Sequence, residues 1–228
     1  MTKVAEKIIV ALDVSTKKEA VALVDQLRDQ ISFFKIGFQI YTAEGPEILR
    51  VVRPMGANVF LDLKLHDIPN TVARATESAS NLSVQMLTIH LSGGAEMIQA
   101  ATTRKGKMSI LGVTVLTSAN ERTLCETGVS ESIGQHVLRL ARLGVENGID
   151  GIVASPHETK MLRAEFGDKL RIVVPGVRPS WWQAGDQKRV MTPREAIDAG
   201  ADYLVIGRPI TAHKNPREAL EKILQELK

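Results

Sequence analysis

The feature that most constrains the fold is an alternation along the chain. Short apolar runs, several rich in Val and Ile, are separated by longer stretches with helical spacing. The runs are Ile8–Leu12, Phe33–Ile36, Asn58–Lys64, Gln85–His90, Ser109–Leu116, Gly151–Ala154, Arg171–Val174 and Tyr203–Ile206. Such runs suit strands covered on both faces. Between the first two, Lys17–Gln30 places Ala20, Val21, Val24 and Leu27 at helical spacing. Two segments, Gly144–Val153 and Ala196–Val205, repeat one pattern: a helix end, a Gly at the C-cap, an acidic turn residue, then a strand. Thr192-Pro193-Arg194-Glu195 reads as a helix start, with Thr192 as N-cap and Glu195 closing a capping box. Eight strands with intervening helices, in a chain near the roughly 250 residues typical of the fold, predict an α/β protein of the (β/α)8 TIM-barrel type. The rival is a doubly wound open sheet. No Gly-x-Gly-x-x-Gly follows the first run, which removes its commonest dinucleotide-binding version. No linker or low-complexity segment divides the chain, so residues 1–228 are expected to form a single domain.

Charge excludes little. The 29 basic and 26 acidic residues leave a net charge of +3, without a dense basic run, so no nucleic-acid partner is expected. Cys125 is the single cysteine, which fits a reducing compartment. The first apolar run is too short for a membrane span, and Glu6 before it is unlike a signal peptide. A cytoplasmic protein without a membrane partner is the expectation.

Chemistry concentrates in Asp62-Leu63-Lys64-Leu65-His66-Asp67. In a regular strand Asp62 and Lys64 point to one face, roughly 7 Å apart, while Leu61, Leu63 and Leu65 take the other. At the C-terminal end of a barrel strand, that face opens into the mouth where barrel active sites are built. An Asp-x-Lys pair could equally be a structural plug. Asp13 after the first run and Lys35 in the second favour a catalytic array, because five charges delivered to one mouth would make poor core. His66 and His90 lack the companions a zinc site needs and are expected to be structural.

The opposite half carries phosphate chemistry. Pro175-Gly176-Val177-Arg178-Pro179 and Ile206-Gly207-Arg208-Pro209 end the seventh and eighth runs, where barrels often hold a phosphate. Gly admits backbone N–H groups close to an oxygen, and Arg adds a charge-assisted bond. A turn Gly beside a surface Arg is the plain alternative. The long loop from Gly176 to Met191 holds Arg178, Gln187, Lys188 and Arg189 as possible donors. Its Trp181-Trp182 pair is expected to anchor the loop rather than stack on a ligand.

Asp62-Leu63-Lys64-Leu65-His66-Asp67-Ile68-Pro69-Asn70-Thr71 resembles the signature of orotidine 5′-monophosphate decarboxylases. Ala11-Leu12-Asp13, Lys35-Ile36-Gly37, Leu116-Thr117, Pro175–Pro179, Gly185-Asp186-Gln187 and Ile206–Pro209 follow in family order, over nearly the whole chain. The resemblance implies a cofactor-free decarboxylation of orotidine 5′-monophosphate in UMP biosynthesis, by a homodimer with sites at the subunit interface. It implies that Asp13 and Lys35 hold the ribose and the charge network, and that Asp62 and Lys64 face the reacting carbon, Lys64 as proton donor. Asp67 and Thr71 would enter the partner's site, and Ile68 would bind substrate. Thr117 would meet the pyrimidine, and Arg178, Gln187, Gly207 and Arg208 the phosphate. Trp181-Trp182-Gln183-Ala184 departs from the usual pattern. The nearest rival is a Mg²⁺-dependent sugar-phosphate decarboxylase or aldolase on the same barrel, which resembles this chain at Asp62, Lys64 and Asp67 but places a metal-binding carboxylate where Lys35 stands. A non-catalytic phosphate- or nucleotide-binding barrel is the rival from another class.

Overall fold

The computed structural model describes residues 4–182 and 191–227. All eight expected strands form: β1 (Ile8–Ala11), β2 (Phe33–Gly37), β3 (Asn58–Leu65), β4 (Met86–His90), β5 (Ser109–Val113), β6 (Gly151–Val153), β7 (Arg171–Pro175) and β8 (Tyr203–Ile206). They close into one parallel barrel in chain order, with β8 returning to β1. The connections carry α1 (Lys17–Leu27), α2 (Phe38–Glu44), α3 (Glu47–Val52), α4 (Pro69–Asn81), α5 (Gly94–Arg104), α6 (Glu121–Glu126), α7 (Ile133–Glu146), α8 (Pro156–Phe166) and α9 (Pro193–Asp198). After β8 come α10 (Arg208–Thr211) and α11 (Pro216–Glu226). This is the (β/α)8 barrel, and the open sheet is excluded. The Thr192–Glu195 capping box opens α9 as expected.

Strand alternation sorts the side chains into two cores. Ile8, Val10, Phe34, Ile36, Val59 and Leu61 point outwards and pack with the helices. Ile9, Ala11, Phe60, Met86, Leu111, Val173 and Val205 point inwards and fill the lumen. Burial of each large apolar side chain contributes about 1.5–3 kcal/mol, so the lumen is a packed core and not a pore. Lys35, Asp62 and Thr88 lie two residues beyond Phe33, Phe60 and Met86. The same period puts them on the inward face, one layer nearer the C-terminal mouth.

The acidic residue of the repeated αβ joint fastens the opposite end. Asp150, just before β6, accepts from Ile110 N (2.8 Å) and from Lys105 Nζ at both oxygens (2.6 and 2.7 Å). Asp202, just before β8, accepts from Ile172 N (2.7 Å) and Arg163 Nη2 (2.6 Å). Gln85, just before β4, accepts from Val59 N in the same way. In each case a side chain meets a main-chain donor of the preceding strand where the ladder begins.

Most boundaries fall within one residue of expectation, and the largest difference is at the end of β5. Strand β5 stops at Val113, not Leu116. Its neighbour β6 is only three residues long and pairs Leu111 to Val113. With no ladder partner beyond, the chain turns, Ala119 N donating to Leu116 O. Leu116 and Thr117 therefore sit on a loop over the mouth.

Arg178 N donates to Met191 O (2.9 Å), joining the two described ends of the loop after β7. Trp181 lies 6.0 Å from the His213 ring, under the Lys222 ammonium, and Ser180 Oγ donates to Glu226. Trp181 thus anchors the foot of the loop on the C-terminal helices. No helix among the described residues is long and apolar enough to cross a membrane.

Candidate active site

Four charged side chains form an alternating chain at the C-terminal mouth. Lys35 Nζ donates to Asp13 Oδ1 at 2.8 Å and lies 3.7 Å from Asp62 Oδ2. Asp62 Oδ1 in turn accepts from Lys64 Nζ at 2.8 Å. The Lys35 and Asp62 side chains are only 11% and 13% exposed, so each ion is desolvated and depends on its neighbour. Lys64 is 25% exposed and lines the cavity. Its ammonium also sits 5.9 Å from the centre of the Phe38 ring.

Asp62 and Lys64 meet by a route that strand parity did not predict. The β3–β4 register pairs Leu61 with Leu87 and then Leu65 with Ile89, so Asp62, Leu63 and Lys64 bulge out opposite Thr88 alone. Lys64 takes φ +44°, left-handed backbone that a side chain of this kind rarely adopts. Such a conformation costs about 1–3 kcal/mol and persists where its surroundings over-determine it.

Two residues that the sequence did not single out hold this array. Thr88, fully buried, accepts from Lys64 N at 2.8 Å and donates to Asp62 Oδ1 at 2.9 Å. The polar position within the apolar run Met86-Leu87-Thr88-Ile89 was the available signal. Gly37 is the other. A Cβ there would lie 2.7 Å from Lys35 Nζ and 3.3 Å from Asp13 Oδ1, so the ammonium occupies the space a side chain would need.

The cavity at this mouth measures about 220 Å³. It is lined by Lys35, Asp62 and Lys64 on one side and by Leu116, Thr117 and Pro175 on the other. Gly207 precedes α10. A Cβ on Gly207 would lie 3.5 Å from Ala11 Cβ and 3.7 Å from Asp13 Oδ2, so this backbone passes beside the end of β1. Arg208 is exposed at the start of α10. Arg178 is buried, and its Nη1 donates to Val177 O. Gln187, Lys188 and Arg189 lie outside the described residues.

Asp67, Ile68 and Thr71 do not join this ion chain. Asp67 accepts from Ile68 N at 2.7 Å, and all three are exposed. Asp67 and Thr71 border a second cavity, of about 300 Å³, lined also by Phe38, Lys64 and His66. His90, at the end of β4, has its pKa pushed below 6.5. Burial is the main cause, followed by the nearby His66 and Lys64 charges, against an opposing pull from Asp62. The two imidazole rings are 5.5 Å apart. A larger depression of about 610 Å³, lined by Gln85, Lys107, Ser109 and Arg171, lies at the N-terminal end. That end of a barrel serves stability rather than chemistry.

The donor set disfavours a metal. Lys35 puts a positive charge between Asp13 and Asp62, where a cation would otherwise draw them together. Among the described residues no group of three or more His, Cys, Asp or Glu side chains could hold one.

The sequence matches the orotidine 5′-phosphate decarboxylase / HUMPS family over residues 6–223. The chain belongs to this family. It is 46% identical over 230 residues to the orotidine 5′-phosphate decarboxylase of Geobacter sp. (strain M21), covering 97% of this chain and 96% of that protein. The enzyme of the same name from Carboxydothermus hydrogenoformans is 47% identical over 231 residues, covering 98% and 96%. Among solved structures, orotidine 5′-phosphate decarboxylase from Lactobacillus acidophilus superposes with a TM-score of 0.86 at 31% identity, covering 98% of this chain and 99% of that one. The Pyrococcus horikoshii OT3 enzyme superposes at 0.80 with 26% identity, over 96% and 98%.

Proposed function

We propose that this chain, as a single catalytic domain spanning residues 1–228, decarboxylates orotidine 5′-monophosphate to uridine 5′-monophosphate and CO2, the last step of de novo UMP biosynthesis. The observation that carries the proposal is the alternating chain Asp13–Lys35–Asp62–Lys64 at the barrel mouth, with contacts of 2.8, 3.7 and 2.8 Å. Full-length relatives bearing the decarboxylase name support it.

Loss of CO2 from C6 of the pyrimidine leaves an electron pair in the ring plane, where the ring π system cannot delocalise it. The site must stabilise that charge through space. An ammonium about 4 Å away is worth about 4 kcal/mol at an effective dielectric constant of 20, or about a thousandfold in rate. Lys64 supplies this charge and then donates the proton that completes the product. Asp62 keeps Lys64 charged and aimed, and Lys35 shares Asp62 with Asp13. Asp62 would also lie near the departing carboxylate. No cofactor takes part.

Asp13 and Lys35 bind the ribose hydroxyls, and Thr117 the pyrimidine edge. Arg178, Gln187, Gly207 and Arg208 bind the phosphate. That binding energy, remote from the reacting carbon, lowers the barrier where it orders the charges at the mouth. Two copies pair at the mouth, each lending Asp67, Ile68 and Thr71 to the other's site. The exposed apolar residues Phe38 (57%), Ile68 (66%) and Leu116 (46%) around the mouth support that pairing. The protein works in the cytoplasm.

The test is the fall in orotidine 5′-monophosphate ultraviolet absorbance in the presence of EDTA. Full turnover is expected. Activity that chelation abolishes and Mg²⁺ restores would favour the metal-dependent sugar-phosphate alternative. Ligand binding without turnover would favour a non-catalytic barrel. Mixing inactive Lys64→Ala and Asp67→Ala dimers addresses the pairing. Restored activity is expected, because one site in a mixed dimer regains both residues.

A further inference from the structure

On β4, the bulge that carries Lys64 meets the side chain of Thr88. Three residues of β3 face Thr88 alone, between the pairs Leu61–Leu87 and Leu65–Ile89. The missing rungs leave the Lys64 N–H without a main-chain acceptor, and the Thr88 hydroxyl takes that place at 2.8 Å. Thr88 has a single hydroxyl proton. Its oxygen accepts from a backbone N–H, which can only donate, so the proton is free to go to Asp62 Oδ1, 2.9 Å away. Asp62 Oδ1 is the same oxygen that accepts from Lys64 Nζ. One hydroxyl thereby ties the backbone of Lys64 to the carboxylate that aims its ammonium.

We infer that Thr88 is a positioning residue for decarboxylation, holding the left-handed turn at Lys64 and the Asp62 carboxylate in register so that Nζ is presented to the reacting carbon. The inference rests on the decarboxylase function proposed above. Thr88 acts only through Asp62 and Lys64 and does not touch substrate. Packing alone does not account for a hydroxyl here. The inward residues next to it on β4 and β5, Met86 and Leu111, are apolar and buried, and burying a hydroxyl carries a cost that a hydrogen bond offsets. Valine would fill the same volume.

Removing the hydroxyl leaves the partly buried Lys64 N–H without this acceptor and takes one of the two donors from Asp62 Oδ1. The bulge then relaxes and carries Nζ away from its position. Misplacement of a reacting group by about 1 Å costs about a hundredfold in rate. Substrate binding, in contrast, depends mainly on phosphate and ribose contacts made by residues other than Lys64. A defect confined to Lys64 therefore appears in kcat rather than KM.

The experiment compares the full-length wild type with Thr88→Val and Thr88→Ser, measuring kcat and KM for orotidine 5′-monophosphate and the affinity for uridine 5′-monophosphate. Thr88→Val is expected to lower kcat about 10- to 100-fold, with KM and product affinity within about twofold, and Thr88→Ser to recover most of the rate. Wild-type kcat in Thr88→Val, or a Ser variant as slow as the Val variant, overturns the inference. So does a loss of product affinity that matches the loss of rate, which marks a structural role. If Thr88→Val fails to fold, Thr88→Cys replaces it. Its thiol bonds weakly, and a rate equal to that of Thr88→Ser overturns the inference. Wild-type protein inert towards orotidine 5′-monophosphate would instead refute the function itself, and the inference with it.

Discussion

Gly37→Ala places a methyl group where the Lys35 ammonium now lies. The added carbon would be 2.7 Å from Lys35 Nζ, about 0.7 Å inside ordinary contact at 3.4 Å. Gly37 has φ −106°, which alanine adopts freely, so the backbone contributes no strain. The clash falls on the far end of a flexible side chain, which can retreat. The cost to folding is therefore small, about 1 kcal/mol or less, or a few degrees in Tm for a chain of this size. Catalysis is less forgiving. Lys35 Nζ holds Asp13 at 2.8 Å and Asp62 at 3.7 Å, and the retreat perturbs both. With a 1 Å error worth about a hundredfold, a shift of this size lowers kcat/KM about 10- to 100-fold. Steady-state kinetics on orotidine 5′-monophosphate and a thermal melt on the same preparation check both halves. Wild-type kcat/KM with an unchanged melt would refute the role given to the Lys35 position. A large fall in Tm would show that the clash is resolved in the backbone instead.

Other outcomes follow from other parts of the molecule. Asp150→Ala removes an acceptor from Ile110 N and Lys105 Nζ at the N-terminal rim. It is expected to cost about 2–3 kcal/mol and leave kcat unchanged, as a Tm lowered by roughly 4–12 °C would show. His90 has a folded pKa below 6.5, so between the two values the unfolded chain binds the extra proton. Its contribution to stability is complete above about pH 6.5 and is lost as pH falls through the folded value. Urea midpoints should drop more steeply between pH 7 and pH 5 in wild type than in His90→Gln; parallel curves would contradict this. Arg208→Ala should raise KM for orotidine 5′-monophosphate at least about tenfold by removing a charge-assisted phosphate contact, and an unchanged KM would remove Arg208 from the phosphate site.

The barrel was legible in the sequence because strands covered on both faces leave Val- and Ile-rich runs, and all eight appear in order. The end of β5 was not, because it depends on the length of β6 across the ladder. Asp150 and Asp202 were visible as turn residues, but their main-chain partners on β5 and β7 are set by closure of the barrel. At the mouth, the charged residues stood out by their cost in a core. The bulge did not: strand parity already placed Asp62 and Lys64 on one face, and nothing in Leu63-Lys64-Leu65 announces φ +44°. Thr88 was hidden for a related reason. One threonine in an apolar strand suits ordinary packing, and its role emerges only when β3 is laid against β4.

The proton donor is the centre of the mechanism, and Lys64→Ala tests it most directly. The substitution removes the group that stabilises and then protonates C6, while the affinity for uridine 5′-monophosphate reports whether the site survives. Turnover of orotidine 5′-monophosphate by this variant, measured in EDTA, is predicted to fall below detection with the product still bound. Decarboxylation at a near wild-type rate would contradict the mechanism.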